Sequence, residues 1–191
     1  MSDFDETFTG TNGVAISSPW ANAGGDVCVY SSNCALSANV TDGGMVRETS
    51  VADGTLTITF ANISTVAGGA GAYIRYVDDN NYIMVRFVNG DTISIHVKVS
   101  GSYGSPIDPK TITYTDTDVL DVVFSGSSVI TKQNGVTRST GTITDHLTAT
   151  KHGFIARSDS DSLFDRIVFV GAGGGGAKPS YYYRLIGHHN V

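Results

Sequence analysis

The stretch Asn81–Gly101, NYIMVRFVNGDTISIHVKVSG, consists of two runs in which every second residue is apolar. These positions are Ile83, Val85 and Phe87 in the first run, and Ile93, Ile95, Val97 and Val99 in the second. Either Asn-Gly or Gly-Asp within residues 89–91 supplies a tight turn between them. Because a period of two is the pattern of a strand with one buried face, the stretch predicts a β-hairpin. The intervening polar residues, His96 among them, are expected on the solvated face.

The same plan recurs along the rest of the chain. Alternating or continuous apolar runs occupy the segments 55–60, 119–137, 152–157 and 163–170. Ser125-Gly126 and Asn134-Gly135 mark turns. No segment shows a convincing helical period, and no unit repeats over about 20–50 residues. About twelve or more short strands joined by turns therefore predict an all-β protein, a two-sheet antiparallel sandwich.

The composition agrees with strands and turns. The 191 residues fit one domain, or one domain with an arm, and 40% of them are hydrophobic, enough for a substantial core. Only 16% are charged, and Glu6 and Glu48 are the only glutamates, so residues that favour helix interiors are scarce. The net charge of −6 and the lack of a Lys/Arg cluster predict no nucleic-acid partner.

Neither membrane insertion nor export is expected from the sequence. No apolar run reaches the length of about 18 residues that a membrane span requires. The opening MSDFDETFTGTNG has neither the basic nor the apolar region of a signal peptide, which predicts synthesis in the cytoplasm. Cys28 and Cys34 are the only cysteines. We expect reduced, partly buried thiols, although the two could bridge a local hairpin if oxidised.

Four segments carry a resemblance to a known superfamily: 3–16, 71–87, 122–136 and 152–170. Together they resemble the concanavalin A-like (LamG/glucanase-type) jelly-roll sandwich over about residues 3–170. The resemblance implies that an Asp-Phe opening strand pairs near a closing Phe-Asp strand. It also implies a central hairpin with the pattern G-x-x-x-R-y-x-D-x-x-N-Y, whose positions here are Gly71, Arg75, Tyr76, Asp78, Asn81 and Tyr82. The superfamily contains lectins, glycosidases, adhesion modules and phage structural proteins.

Catalytic patterns are missing from the sequence. Resemblance to the glucanases of this superfamily implies a Glu-x-Asp-x-x-Glu pattern along one strand. In this chain the two glutamates, Glu6 and Glu48, lie far apart in sequence, so the pattern is missing. Asp116, Asp118 and Asp121 come nearest, but they flank a turn into a strand. No G-x-S-x-G elbow or H-E-x-x-H spacing occurs. The sequence therefore predicts that the protein is not an enzyme.

Two binding sites are considered. Asp159, Asp161 and Asp165 could hold a structural calcium through oxygen ligands, which the resemblance supports, or they could form a plain acidic turn. No other cofactor is expected. Sugar binding requires exposed aromatic side chains beside polar ones. The candidates are Trp20, Tyr30, Tyr76, Tyr82 and Tyr103, among which the sequence does not choose.

The C-terminal segment begins with GAGGGG at residues 171–176, a formal match to the dinucleotide-binding pattern G-x-G-x-x-G. The rest of the chain is too short for the helix and second strand of that fold, so we interpret the glycines as a tether. Residues 1–170 are then the sandwich, and 171–191 are the tether with an interaction arm. The predicted contact residues are Tyr181, Tyr182, Tyr183, Arg184, Leu185 and Ile186. The arm would dock on a partner, on a sister subunit or on its own sandwich.

The leading functional hypothesis is a non-catalytic bacteriophage virion protein, either a capsid decoration or a tail or fibre component. It would assemble through the arm with other virion proteins or copies of itself. The alternative is a carbohydrate-binding, lectin-like module for host-surface glycans, and a glycosidase is the third hypothesis. The phage assignment rests on resemblance in style to such proteins. The fold alone does not supply it, because function lies in sites rather than in folds.

Overall fold

A computed structural model describes residues 3–24, 28–31, 34–37, 42–63, 69–88, 91–157 and 162–173. Within these ranges sixteen strands form two antiparallel sheets of eight strands each. The first sheet has the order β14-β13-β12-β6-β16-β4-β3, and β1 also pairs with β16. Its strands are β1 (Phe4–Glu6), β3 (Cys28–Ser31), β4 (Cys34–Ser37), β6 (Gly54–Asn62), β12 (Val119–Ser125), β13 (Ser128–Gln133), β14 (Val136–Thr142) and β16 (Leu163–Gly171).

The second sheet has the order β10-β9-β8-β7-β15-β5-β2, and β11 also pairs with β9. Its strands are β2 (Ala21–Ala23), β5 (Asp42–Glu48), β7 (Ala70–Asp78), β8 (Asn81–Val88), β9 (Thr92–Val99), β10 (Ser102–Tyr103), β11 (Ile107–Thr111) and β15 (Lys151–Arg157). The two-sheet antiparallel jelly-roll sandwich predicted from the sequence is thereby confirmed. No helix in the described ranges is long and apolar enough to cross a membrane.

The pairings that the sequence predicts are present. Strands β8 and β9 form the hairpin, with Val85 opposite Ile95. The opening strand β1 pairs with the closing strand β16, with Phe4 opposite Phe169. Strand β16 extends to Gly171, and the division into sandwich and arm near this point stays a prediction.

The main core lies between the sheets and is rich in aromatic rings. Phe60 packs against Phe87 and Phe164 at centroid distances of 5.7 and 5.4 Å. Phe154 of the second sheet lies 4.6 Å from Phe164 of the first, so the rings join the two layers. Burial of one such side chain contributes about 1.5–3 kcal/mol, which makes this layer the main source of stability.

One edge of the sandwich is closed by Asp108. This residue lies on β11 of the second sheet, next to β14 at the end of the first sheet. The amide of Thr140 on β14 donates to Asp108 Oδ2 at 2.9 Å, and Ser139 Oγ donates to the Asp108 carbonyl at 2.7 Å. The two sheets are therefore connected at this edge by hydrogen bonds as well as by packing.

A β-bulge in β7 sets the direction of its side chains. Tyr73 pairs with Gly153 of β15 and Tyr76 pairs with Lys151, so two residues of β7 lie opposite one residue of β15. The extra residue is accommodated at Arg75, whose φ is 50°. A non-glycine residue in this region costs roughly 1–3 kcal/mol, so the surroundings must hold it there.

The side chain of Arg75 is fully buried and held by three contacts. Its Nη2 donates to Asp53 Oδ1 at 2.6 Å, and its Nε donates to the Ala52 carbonyl at 3.0 Å. The guanidinium carbon lies 5.5 Å from the ring centre of Phe124 on the first sheet. Since Asp53 and Ala52 belong to the loop between β5 and β6, this side chain connects the bulge to that loop.

His152, also fully buried, lies opposite the bulge and fixes its backbone. The Arg75 amide donates to His152 Nδ1 at 3.0 Å, so Nδ1 carries no proton. His152 Nε2 lies 3.0 Å from the Val51 carbonyl, which can only accept, so Nε2 carries the proton. Burial above all, and then the nearby Arg75 charge, lower the pKa of His152 from the ordinary 6.5 to about 4, against the opposing effect of the Val51 bond.

Gly153→Ala is expected to destabilise the protein strongly. A Cβ atom at this position would lie 1.9 Å from the Met45 carbonyl oxygen of β5, so the central strands would have to separate. We expect a loss of about 1–3 kcal/mol or more in the free energy of unfolding, measured by chemical denaturation. Gly104→Ala is the control, because its Cβ would lie 3.8 Å from the nearest atom, the Val97 carbonyl oxygen. Equal stability of the two variants would contradict the packing described here.

The stability of the protein is expected to decrease as the pH falls from about 6.5 to 4. In this window the unfolded chain protonates His152, whereas the folded chain keeps it neutral, so the proton favours unfolding. The loss from this residue approaches roughly 3 kcal/mol. In His152→Asn, an amide oxygen can still accept from the Arg75 amide but does not titrate. Denaturant unfolding at several pH values should give a flatter profile for this variant, and parallel profiles would refute the assignment.

Candidate functional site

A group of seven buried residues lies on the second sheet away from the main core, and we call it the outer cluster. Its members are Ala23, Val46, Tyr73, Tyr76, Tyr82, Met84 and Ile155. They come from the central strands β5, β7, β8 and β15 and from β2. The middle of the second sheet is therefore buried on both faces, which is unusual for an antiparallel sheet with a solvated side.

Three tyrosine rings form the centre of the outer cluster. Tyr73 makes edge-to-face contacts with Tyr76 and Tyr82, at centroid distances of 5.4 and 4.9 Å. Tyr76 and Tyr82 stack at 5.9 Å, with 13° between their planes. The bulge at Arg75 makes this arrangement possible, because Tyr73 and Tyr76 are three positions apart and would face opposite sides of a regular strand.

Tyr103 is the accessible aromatic residue beside the buried rings. It lies on β10, is half-buried, and packs against the outer cluster with its ring 6.2 Å from that of Tyr82. The hydroxyl groups of Tyr82 and Tyr103 are 2.5 Å apart, so they share a hydrogen bond. Tyr73, Tyr76 and Tyr82 are at most 7% exposed, so they support the site from below while Tyr103 can contact a ligand.

The side chains of His96 and Lys98 border Tyr103, and together with their hydrogen-bond partners Ser94 and Asp79 we call them the polar rim. Lys98 Nζ lies 5.0 Å from the ring centre of Tyr82 and 5.2 Å from that of Tyr103, within cation–π range. The same nitrogen donates to the Asp79 carbonyl at 2.8 Å. His96 lies 6.3 Å from the Tyr103 ring, and its Nε2 is 2.7 Å from Ser94 Oγ.

Asp79 ties the polar rim to the outer cluster. Its Oδ1 accepts from the Gly24 amide at 2.8 Å and from the Tyr76 hydroxyl. Burial, and then the Asp79 carboxylate, raise the pKa of Tyr76, so its phenol stays protonated and acts as the donor. The turn that contains Asp79 is held separately, because Asp78 Oδ1 accepts from the Asn80 amide and the Asn81 side chain.

The loop after β5 lines an open cleft of about 490 Å³. Its lining residues are Ser50, Val51, Ala52, Asp53, Gly126, Leu147, Thr148, Thr150 and Ala172. Asp53 Oδ2 accepts from the Gly126 amide at 3.0 Å, and Oδ1 is bound to Arg75. Both carboxylate oxygens are thus engaged in holding the fold.

The aromatic residues that the sequence offers for sugar binding fall into two groups. Trp20 is 6% exposed and belongs to the main core, and Tyr30 packs against it, so neither forms part of the outer cluster. Tyr76, Tyr82 and Tyr103 come together on the second sheet. Tyr73, Lys98 and Asp79 complete this site but were not identified from the sequence.

His96 lies on the face of β9 away from the main core, as the alternation predicts, but it is half-buried rather than fully solvated. Cys28 is buried in the main core. Asp118 and Asp121, two of the three carboxylates that come nearest to a catalytic pattern in the sequence, hold neighbouring side chains by hydrogen bonds. Asp118 accepts from the side chains of Gln133 and Asn134, and Asp121 accepts from Thr57 Oγ1 at 2.7 Å.

The predicted calcium ligands are only partly within the described residues. Asp165 is exposed on β16, whereas Asp159 and Asp161 lie outside the described ranges. Among the residues that the structure describes, no three His, Cys, Asp or Glu side chains are grouped as metal ligands. The arm residues Tyr181, Tyr182, Tyr183, Arg184, Leu185 and Ile186 also lie outside the described ranges. The calcium site and the arm stay predictions.

Comparison with known proteins gives matches in structure. No protein-family model matches the sequence, and no curated protein matches it. The carbohydrate-binding module CBM66 from Bacillus subtilis matches with a TM-score of 0.61 over 80% of this chain and 92% of that chain, at 12% identity. A Bacillus licheniformis beta-glucanase matches with 0.59 over 89% and 98%, at 11% identity. The exoplasmic/lumenal domain of VIP36, in a Ca²⁺/Man-bound form, matches with 0.60 over 88% and 89%, at 12% identity.

The prediction from the sequence that the protein is not an enzyme is wrong. It rested on the missing Glu-x-Asp-x-x-Glu pattern, yet the structures that share this fold include the beta-glucanase. The fold is thus common to hydrolases and binding modules, and its presence does not exclude catalysis. At these identities the likeness concerns the fold itself, and the resemblance seen in the sequence is confirmed at that level: the chain has a concanavalin A-like jelly-roll fold.

Proposed function

We propose that the protein binds carbohydrate on the second sheet, at Tyr103 and the polar rim. The observation that carries this proposal is a half-buried tyrosine ring bordered by hydrogen-bonding side chains on the same sheet face. A sugar ring has apolar C–H faces and a circumference of hydroxyl groups, so it fits an aromatic surface beside polar groups.

The polar rim has the hydrogen-bonding capacity for this role. Lys98 has three N–H donors and uses one on the Asp79 carbonyl. Asp79 is exposed and supplies a carboxylate acceptor, and His96 supplies an imidazole. Donors and acceptors are both required because a sugar hydroxyl acts as each. The use of this fold by the Bacillus subtilis carbohydrate-binding module and by the VIP36 domain supports the proposal.

An assembly role in a bacteriophage virion is a separate proposal. It rests on the Tyr- and Arg-containing arm and on the resemblance in style to virion proteins, and it places the protein in the virion after synthesis in the host cytoplasm. Glycan binding is compatible with it, because a virion protein that contacts a host surface meets glycans there.

Tyr103→Ala and Lys98→Ala are each expected to weaken glycan binding by about tenfold or more, since each removes a central contact. A glycan array identifies the ligand, and calorimetry then measures the affinity. Lys132→Ala, on β13 of the other sheet, is the charge-matched control and should leave affinity unchanged. Failure of the wild-type protein to bind any glycan, or equal affinity of all three variants, would contradict the proposal.

Truncation after Gly173 tests the assembly role. We expect a folded sandwich, because every described strand is retained, together with loss of self-association or of incorporation into particles. Size-exclusion chromatography reports association, and mass spectrometry of purified virions reports incorporation. Assembly that persists in the truncated protein would refute the role of the arm.

A further inference from the structure

We infer that Arg75 is a positioning residue for the glycan site, acting from the opposite face of the sheet through the bulge that it occupies. The effect on sugar binding rests on the function proposed above, whereas the effect on the tyrosine rings does not. Arg75 itself is fully buried on the core side and does not belong to the site.

The register shows how the bulge determines the site. Toward β15, Ile74 and Arg75 both lie between the pairs Tyr73–Gly153 and Tyr76–Lys151, where β15 has only His152. Toward β8, three residues of β7 lie between the paired positions Ile74 and Asp78, where β8 has only Tyr82. Tyr82 therefore lies opposite the irregular segment on one side, and His152 lies opposite it on the other.

The side chains on the two faces depend on one backbone conformation. With Arg75 at a φ of 50°, its side chain points into the core while Tyr73 and Tyr76 both face the outer cluster. In a regular strand the side chain at position 75 would lie on the same face as Tyr73, and Tyr76 would face the core. The stack of Tyr76 on Tyr82 therefore requires the bulge, and Tyr103 packs against Tyr82 in that stack.

None of the anchors of the bulge belongs to the outer cluster or to the polar rim. Asp53 and Ala52 bind the guanidinium, and His152 Nδ1 accepts from the Arg75 amide. Ala52 and Asp53 line the open cleft after β5 instead. Removing an anchor should therefore change the tyrosine site without removing any atom that a ligand would touch.

The experiment compares Asp53→Ala, which removes the carboxylate acceptor for Arg75 Nη2, with two controls. Asp5→Ala removes a similar but exposed ion pair, with Arg166, on the first sheet. Val122→Ala creates a cavity in the first-sheet side of the core and lowers stability without touching the bulge. The first readout is the isotope-edited NMR spectrum of the tyrosine rings, with Tyr76 and Tyr82 assigned by Tyr→Phe substitution. The second is glycan affinity.

We expect Asp53→Ala to shift or broaden the Tyr76 and Tyr82 signals and to weaken glycan binding about tenfold, while both controls keep the wild-type signals and affinity. Unchanged tyrosine signals in folded Asp53→Ala would overturn the inference. If this variant does not fold, Arg75→Met decides, because methionine leaves no buried charge and no anchor for the bulge and still disfavours the positive φ. Wild-type tyrosine signals in Arg75→Met would likewise overturn the inference.

The two proposals fail separately. If the tyrosine signals respond but the wild-type protein binds no glycan, the positioning role stands and the proposed function fails. If glycan binds and Asp53→Ala changes neither readout, the function stands and the positioning role fails.

Discussion

The ion pair between Arg75 and Asp53 is the interaction on which the second sheet depends. It holds a non-glycine residue at a positive φ in the middle of a central strand, and that conformation turns two tyrosines to the same face. Because the guanidinium is fully buried, loss of its partner would leave an uncompensated charge in the core, at a cost of roughly 3–5 kcal/mol. Loss of the pair would therefore release the local conformation and also lower the stability of the whole fold.

This arrangement gives the second sheet two kinds of core. The face toward the first sheet is packed with phenylalanine and aliphatic residues, as in any sandwich. The opposite face carries tyrosines, whose hydroxyl groups need partners when they are buried. The Tyr76 hydroxyl donates to Asp79, and the Tyr82 hydroxyl shares a hydrogen bond with that of Tyr103. Both partners, Asp79 and Tyr103, lie close to solvent. The polar ends of these two rings therefore lead directly to the surface where a ligand can bind.

The sequence predicts most of the fold but only part of the site. Alternation of apolar residues is a local signal, so the β8–β9 hairpin, which has one face in the core, follows from it directly. The same rule wrongly places Tyr73 and Tyr76 on opposite faces. The bulge that brings them to one face is stabilised by Asp53 and His152, which are distant in sequence, so local alternation gives no sign of it. Tyr103 shows the same limit: it lies on a strand of two residues, too short to produce a pattern.

The hydrogen bond from the Thr140 amide to Asp108 bears on whether strands of neighbouring molecules can pair with the edge of the first sheet. Strand β14 ends the first sheet, and an end strand normally offers its outward amides to any extended chain nearby. Here the outward amide of Thr140 is already bound to a carboxylate of the same molecule. An invading strand would have to displace that carboxylate, which is also paired with Lys110. The sandwich thereby resists edge-to-edge aggregation at this strand although its sheets do not close into a barrel.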